Sequence, residues 1–222
     1  MVSKPLKRAP RILAPVAVLY DRRLKRFGAR PEGVFWLDAD GQRLRFEILS
    51  RIMEGAAGSV IVNDLGCGYG AFFRFLKDRP VMKDGLYLGY DISKSMVEKA
   101  KRLNDDPRAK FVQGPIATWR ADYSFASGTY NMRMDTDTGE WAEYVRASLV
   151  QLWSASERGL AFNMLADEDS IRRGKPRQDD LYYARSREYL DFCRRELSPH
   201  STLIDDYPLA EWTIAVSREP TE

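Results

Sequence analysis

The chain has 222 residues, 44% hydrophobic and 12% aromatic, and its 35 basic and 32 acidic side chains leave a net charge of +3 at pH 7. That length carries one full α/β domain, or a domain with a small extension, and such a composition argues for a packed core. Two cysteines, Cys67 and Cys193, exclude a disulfide framework and a Cys-rich zinc site, and no apolar run is long enough to span a membrane, so a reducing, cytoplasmic location is expected.

The first 40 residues read as a helical or irregular extension, broken by prolines, that can cap a site in the domain formed by residues 41–222. Its basic run, DRRLKRFGAR at 21–30, suits a solvated helix face more than a nucleic-acid contact. From Gln42, QRLRFEILSRIMEG places apolar residues at helical spacing before a closing glycine. Strand SVIVNDL, turn GCGYG and helix AFFRFLKDR follow, then strand LYLGYD and helix SKSMVEKAKRLN, which Ser93 or Ser95 can cap. KFVQG and DYSFASG read as strands, WAEYVRASLVQLWSAS as a helix and GLAFNML as a strand. After a polar loop, ADEDSIRRGKPRQDD, comes the helix YYARSREYLDFCRREL. The last strands, STLIDDY and EWTIAVSRE, are joined by PLA, too short for a crossover helix, so they form a hairpin. The expected fold is therefore α/β: a doubly wound, mostly parallel seven-stranded sheet ending in an antiparallel hairpin.

The stretch VIVNDLGCGYGAFFRFL, residues 60–76, ends a strand at an acid and opens a glycine turn before a helix. Gly66, Gly68 and Gly70 permit unusual backbone angles and are expected to clear side chains from a ligand's path. Asp91 ends the next strand, at the distance expected of an acid that holds a ribose. Gly66, Gly68 and Ala71 also satisfy a dinucleotide fingerprint, but Asp64 would oppose a pyrophosphate at this turn. A ligand with an ammonium and a sulfonium suits that carboxylate. At about 4 Å and an effective dielectric near 20, one charge pair is worth roughly 4 kcal/mol before desolvation.

VNDLGCGYG resembles the first motif of the class I S-adenosylmethionine-dependent methyltransferases, and LYLGYDISKSMVEKAK resembles their second. The resemblance covers roughly residues 42–217 and includes the reversed last strand. It implies S-adenosyl-L-methionine as cofactor. Asp64, Gly66, Cys67, Gly68 and Gly70 would line its methionine end, and Asp91 with Ile92 its ribose and adenine. FVQGPIATW resembles the stretch that covers adenine, which makes Pro115 and Ile116 candidates, though without the usual acid. The fourth strand lacks the Asn/Asp-Pro-Pro-aromatic turn of base-amino methyltransferases. Ser127 and Gly128 would lie near the cofactor there, and Tyr130 and Asn131 near the substrate. Gln42 and Arg45 would face the cofactor.

Methyl transfer is a direct displacement that needs alignment first, and a general base only for a protic nucleophile. Tyr130, Tyr20 and Asp167 are the candidates for that role, although Tyr130 equally suits packing and Asp167 a solvated loop. Asn163 can point into the site or cap the following loop. The sole histidine, His200, suits the surface, and no metal constellation is visible; the acid pairs Asp105–Asp106, Asp179–Asp180 and Asp205–Asp206 read as solvated. Arg172, Arg173, Lys175 and Arg177 can meet an anionic substrate or pair with the acids around them. The favoured reading is a methyltransferase for a small-molecule acceptor, with no membrane association and an undetermined oligomeric state. The alternatives are a methyltransferase acting on RNA or protein, and a non-catalytic cofactor-binding module or nicotinamide-dependent oxidoreductase.

Overall fold

Residues alternate across each strand because successive side chains point to opposite faces. In the strand Ser156–Leu165 (β5), Leu160, Phe162 and Met164 enter one apolar cluster and Ala161 enters another. The sheet thus separates two cores, which is why seven strands need helices on both sides. The computed structural model describes residues 3–167 and 178–220; Arg172, Arg173, Lys175 and Arg177 lie outside them.

The earlier strands are β1 (Ile61–Leu65), β2 (Leu86–Asp91), β3 (Ala109–Gln113) and β4 (Ala121–Ser127), and β6 (Ser201–Ile204) and β7 (Glu211–Ser217) follow β5. Their spatial order is β3-β2-β1-β4-β5-β7-β6. Neighbours from β3 to β5 pair in parallel, and β7 lies antiparallel to both β5 and β6. The strand order reverses beside β1, so the carboxyl ends of β1 and β4 open the crevice where such sheets place their ligands.

The chain opens with a short helix, Lys4–Lys7 (α1), and a long one, Ala9–Phe27 (α2). Three prolines in this segment suggest irregular backbone, yet Pro5 and Pro10 occupy first-turn positions, where a missing N–H costs nothing. Only Pro15 lies inside α2. A 3-10 turn, Pro31–Val34, and the helix Ala39–Ser50 (α3) lead into β1, with Asp38 capping α3 through Gly41 N at 2.6 Å. Next come α4 (Ala71–Leu76), α5 (Lys94–Leu103), α6 (Thr138–Ser154) and α7 (Ser186–Glu196). Ser93 is the residue that caps α5, accepting from Met96 N at 3.0 Å. The helix expected from Tyr182 begins only at Ser186, because residues before it form β-bridges, Met132 with Leu181 and Ala166 with Ala184. Residues of α2, α6 and α7 build one core, and those of α3, α4 and α5 the other. Among the described residues, no helix is long and apolar enough to cross a membrane.

Candidate active site

At the carboxyl ends of β1, β2 and β4, the period-2 alternation aims Asp64, Asp91 and Ser127 to the same face as Val62, Tyr87 and Phe125. All three line a cavity of about 350 Å³. Its floor is the glycine turn, and its roof comes from α2 and the segment after it, through Leu13, Val16, Leu19, Tyr20, Phe35 and Trp36.

Asp91 organises the floor. One carboxylate oxygen accepts from Gly68 N at 2.8 Å and the other from Ser93 N at 2.8 Å. Burial still outweighs those bonds and raises its pKa to about 6. Asp64 is 2% exposed. The Tyr87 hydroxyl donates to its Oδ2, while Oδ1 has no partner among the described residues. Burial lifts the Asp64 pKa to about 7 against the opposing pull of the Tyr87 bond. Ser127 Oγ is likewise buried without a partner. Of the buried oxygens without a partner among the described residues, these two belong to residues that line the cavity, where a polar ligand can satisfy them. Cys67, Ile92, Gly114 and Pro115 complete this part of the wall.

The glycines take the unusual backbone angles expected of them, but the space beside Gly66 and Gly70 is filled by protein and not left for a ligand. Gly66, Gly68 and Gly70 all have positive φ, at 80°, 53° and 78°. A Cβ on Gly66 would lie 2.5 Å from Thr129 Oγ1, and one on Gly70 2.5 Å from Asn104 Nδ2. Protein atoms, not ligand space, occupy those positions. Gly66 and Gly68 reach the cavity with their backbone, whereas Gly70 does not line it.

The remaining candidates divide. Tyr20 lines the cavity, but burial and then the nearby Asp91 push its phenol up, so it stays protonated and acts as a donor rather than a base. Tyr130 is fully buried off the cavity wall, its hydroxyl 3.0 Å from Ser148 Oγ, and burial raises its pKa too. Asp167 faces Arg185 at 3.5 Å and does not line the cavity. Ile116 packs against the α2-side core instead of the wall. Gln42 lines the cavity and accepts from the Tyr69 hydroxyl at 3.1 Å. Asp180, read as a solvated acid, reaches the rim.

Arg45 and Asn163, both candidates from the sequence, do not line the cavity but belong to a polar chain behind its wall, which Glu211, unforeseen, completes. The Arg45 guanidinium stacks 3.9 Å over Trp36, and its Nε donates to Glu211 Oε2 at 2.9 Å. Glu211 Oε1 accepts from Asn163 Nδ2 at 2.9 Å, and Asn163 Oδ1 accepts from Gly128 N at 2.8 Å. Gly128 closes the ring by packing on Trp36, since a Cβ there would lie 2.5 Å from the indole. Asn163 stands opposite Ser127 in the sheet register, which brings it to the back of the wall.

A family model described as a methyltransferase domain matches residues 62–149. The chain is 39% identical over 164 residues to Rv1506c of Mycobacterium tuberculosis, provisionally named a methyltransferase; the match spans 73% of this chain and 96% of that one. Magnesium protoporphyrin IX methyltransferase (ChlM) from Synechocystis PCC 6803 with bound SAH superposes with a TM-score of 0.60 at 16% identity, over 81% of this chain and 84% of that chain. The plantazolicin methyltransferase BamL, in complex with a triazolic desmethylPZN analog and SAH, gives 0.59 at 12% identity, over 97% and 96%. At such identities the two structures share the fold.

Proposed function

Because this chain belongs to the class I S-adenosylmethionine-dependent methyltransferases, we propose that it methylates a small-molecule acceptor enclosed beneath α2. The observation that carries this reading is the roofed cavity: its volume of about 350 Å³ suits small ligands, and the N-terminal helices cover the face a macromolecule would need. Asp91 would take the ribose hydroxyls, Ile92, Gly114 and Pro115 the adenine, and Asp64 and Ser127 the methionine end. Bound there, S-adenosylmethionine supplies a methyl carbon made electrophilic by its sulfonium. The protein's work is to hold and orient the partners and, through α2, to exclude water.

In the basic run of α2, Arg22, Lys25 and Arg26 are exposed, but Arg23 is not free to meet a nucleic-acid acceptor. Arg23 is folded inward, 4.1 Å over both Phe27 and Phe35, with its guanidinium donating to Glu32 O. Incubation of the full chain with methyl-labelled S-adenosylmethionine and fractionated cell extract tests the assignment. Label should enter the small-molecule fraction. Label in RNA or protein would overturn it.

A further inference from the structure

The helix α2 runs across the whole cavity, tied down at both ends. Near its start, Arg8 and Arg11 pair with Glu140 in the first turn of α6. Near its end, Asp21 accepts from Ser93 Oγ and Ser95 Oγ, each at 2.5 Å, beside Asp91. Leu13, Val16 and Tyr20 follow at i, i+3 and i+7, so one stripe of the helix looks down on the cavity from the α6 side to the Asp91 side. The two halves below it differ in chemistry. Asp64, Asp91 and the backbone of the glycine turn build the half beside α5. The half beside α6 is walled by Leu13, Val16, Met132, Tyr144, Leu165 and Leu181.

We infer that this α6-side half is the acceptor pocket and that it takes an uncharged, largely apolar molecule, an inference that rests on the methyltransferase reading above. Among the described residues, no lysine, arginine or histidine lines the cavity. Arg133 nearby turns its Nη1 to Met134 O at 3.2 Å and Thr136 O at 2.8 Å, and does not line the cavity. Asp180 at the rim opposes an anion further. Among the described residues a carboxylate or phosphate seated here would find no cationic partner, and desolvating it would be costly. The polar features stand where the halves meet. Asn131 uses Oδ1 to accept from Leu165 N at 3.1 Å, which fixes its amide orientation and leaves its N–H donors for the cavity. That amide can hold one oxygen or nitrogen of the acceptor while the body of the molecule lies on the apolar wall.

The test is calorimetry on the full chain loaded with S-adenosylhomocysteine, titrated with matched pairs of one ring system: 2-naphthol with 2-naphthoate, and phenol with benzoate. The neutral member of each pair should bind at least about tenfold more tightly, equivalent to roughly 1.4 kcal/mol. Val16→Trp, which fills the pocket from the roof, should weaken the neutral ligands about tenfold or more and leave S-adenosylhomocysteine affinity within about twofold. Leu181→Lys, at a partly exposed wall position, should reverse the preference toward the carboxylates, and it decides the matter if the tryptophan variant fails to fold. Carboxylates binding as well as their neutral partners, no binding of either neutral ligand, or affinities unmoved by both substitutions would overturn the inference. A wild-type chain that does not bind S-adenosylhomocysteine would instead remove the reading beneath it, and this inference with it.

Discussion

The floor and the roof of the cavity are held by different kinds of bond. The floor is held through its backbone N–H groups: Gly66 N and Cys67 N both donate to Tyr90 O, at 2.7 and 3.0 Å, and Gly68 N and Ser93 N donate to the buried Asp91 carboxylate. The roof is held by side chains: Asp21 on two serines, Arg23 between two phenylalanines, and Arg45 on Trp36. Backbone bonds within a parallel sheet cannot be given up singly, whereas these side-chain ties can break one at a time, with Ala9, Ile12, Leu13 and Val16 still packing α2 into the core. On the proposed reading the cofactor's seat is the stiffer part and its cover the part that opens, as an enclosed site that must admit two ligands requires.

Damage to the floor should have the largest effect. Gly66→Ala combines left-handed backbone with overlap against Thr129 and should cost about 3 kcal/mol of stability, measured by urea unfolding, with loss of S-adenosylhomocysteine binding. Asp91→Ala leaves two buried N–H groups without their acceptor, at about 1–3 kcal/mol each. Its affinity for S-adenosylmethionine should fall about tenfold or more, and unchanged affinity in a folded variant would take Asp91 out of the ligand's seat.

What could be read from the chain follows the same division. The glycine turn, Asp64, Asp91 and the closing hairpin are legible because their partners are close in sequence or follow from strand alternation. The reason for Gly66 was not, since Thr129 lies on a distant loop and only the fold brings the two together. The prolines hid the long helix of the roof, because a first-turn proline and a helix-breaking one look alike in sequence. In sequence Tyr130 suits packing and substrate contact equally, and only the fold, which turns its ring inward against Ser148, decides between them. Leu13 and Val16 look like ordinary core residues, and nothing local says that the core there is a cavity wall.

The two acids of the floor predict a pH dependence of intermediate size. Asp64 rises from 3.8 to about 7 and Asp91 from 3.8 to about 6, both through burial. An acid whose folded pKa is raised costs nothing while protonated in both states, below about pH 4. Its penalty grows as pH rises through the window to about 7. The ligand-free protein should therefore lose stability between pH 4 and 7, and Asp64→Asn should flatten much of that slope in unfolding curves. Binding runs the other way, because a cationic ligand prefers the ionised carboxylate. S-adenosylmethionine affinity should fall by up to about tenfold per pH unit below 7 in the wild type, and less steeply in Asp64→Asn. Equal slopes in the two proteins would clear Asp64 of that role.

The roof should give the smallest equilibrium effect and a clear kinetic one. Asp21→Ala removes two hydrogen bonds between α2 and the start of α5, worth about 1 kcal/mol together once water replaces them. S-adenosylhomocysteine should then dissociate several-fold faster in stopped-flow measurements, with little change in melting temperature. A melting temperature that falls as far as in Gly66→Ala would mean that roof and floor form one rigid unit.

The central claim, that this glycine turn seats a sulfonium cofactor and not a pyrophosphate, is tested most directly by thermal unfolding of the full chain with S-adenosylmethionine, S-adenosylhomocysteine, NAD and NADP side by side. At about 100 times its dissociation constant a ligand adds roughly 2.7 kcal/mol to the folded state, a rise of about 5–10 °C for a chain of this size. The account predicts that rise with the first two ligands and none with the nicotinamide nucleotides. A rise with NAD or NADP alone would contradict it.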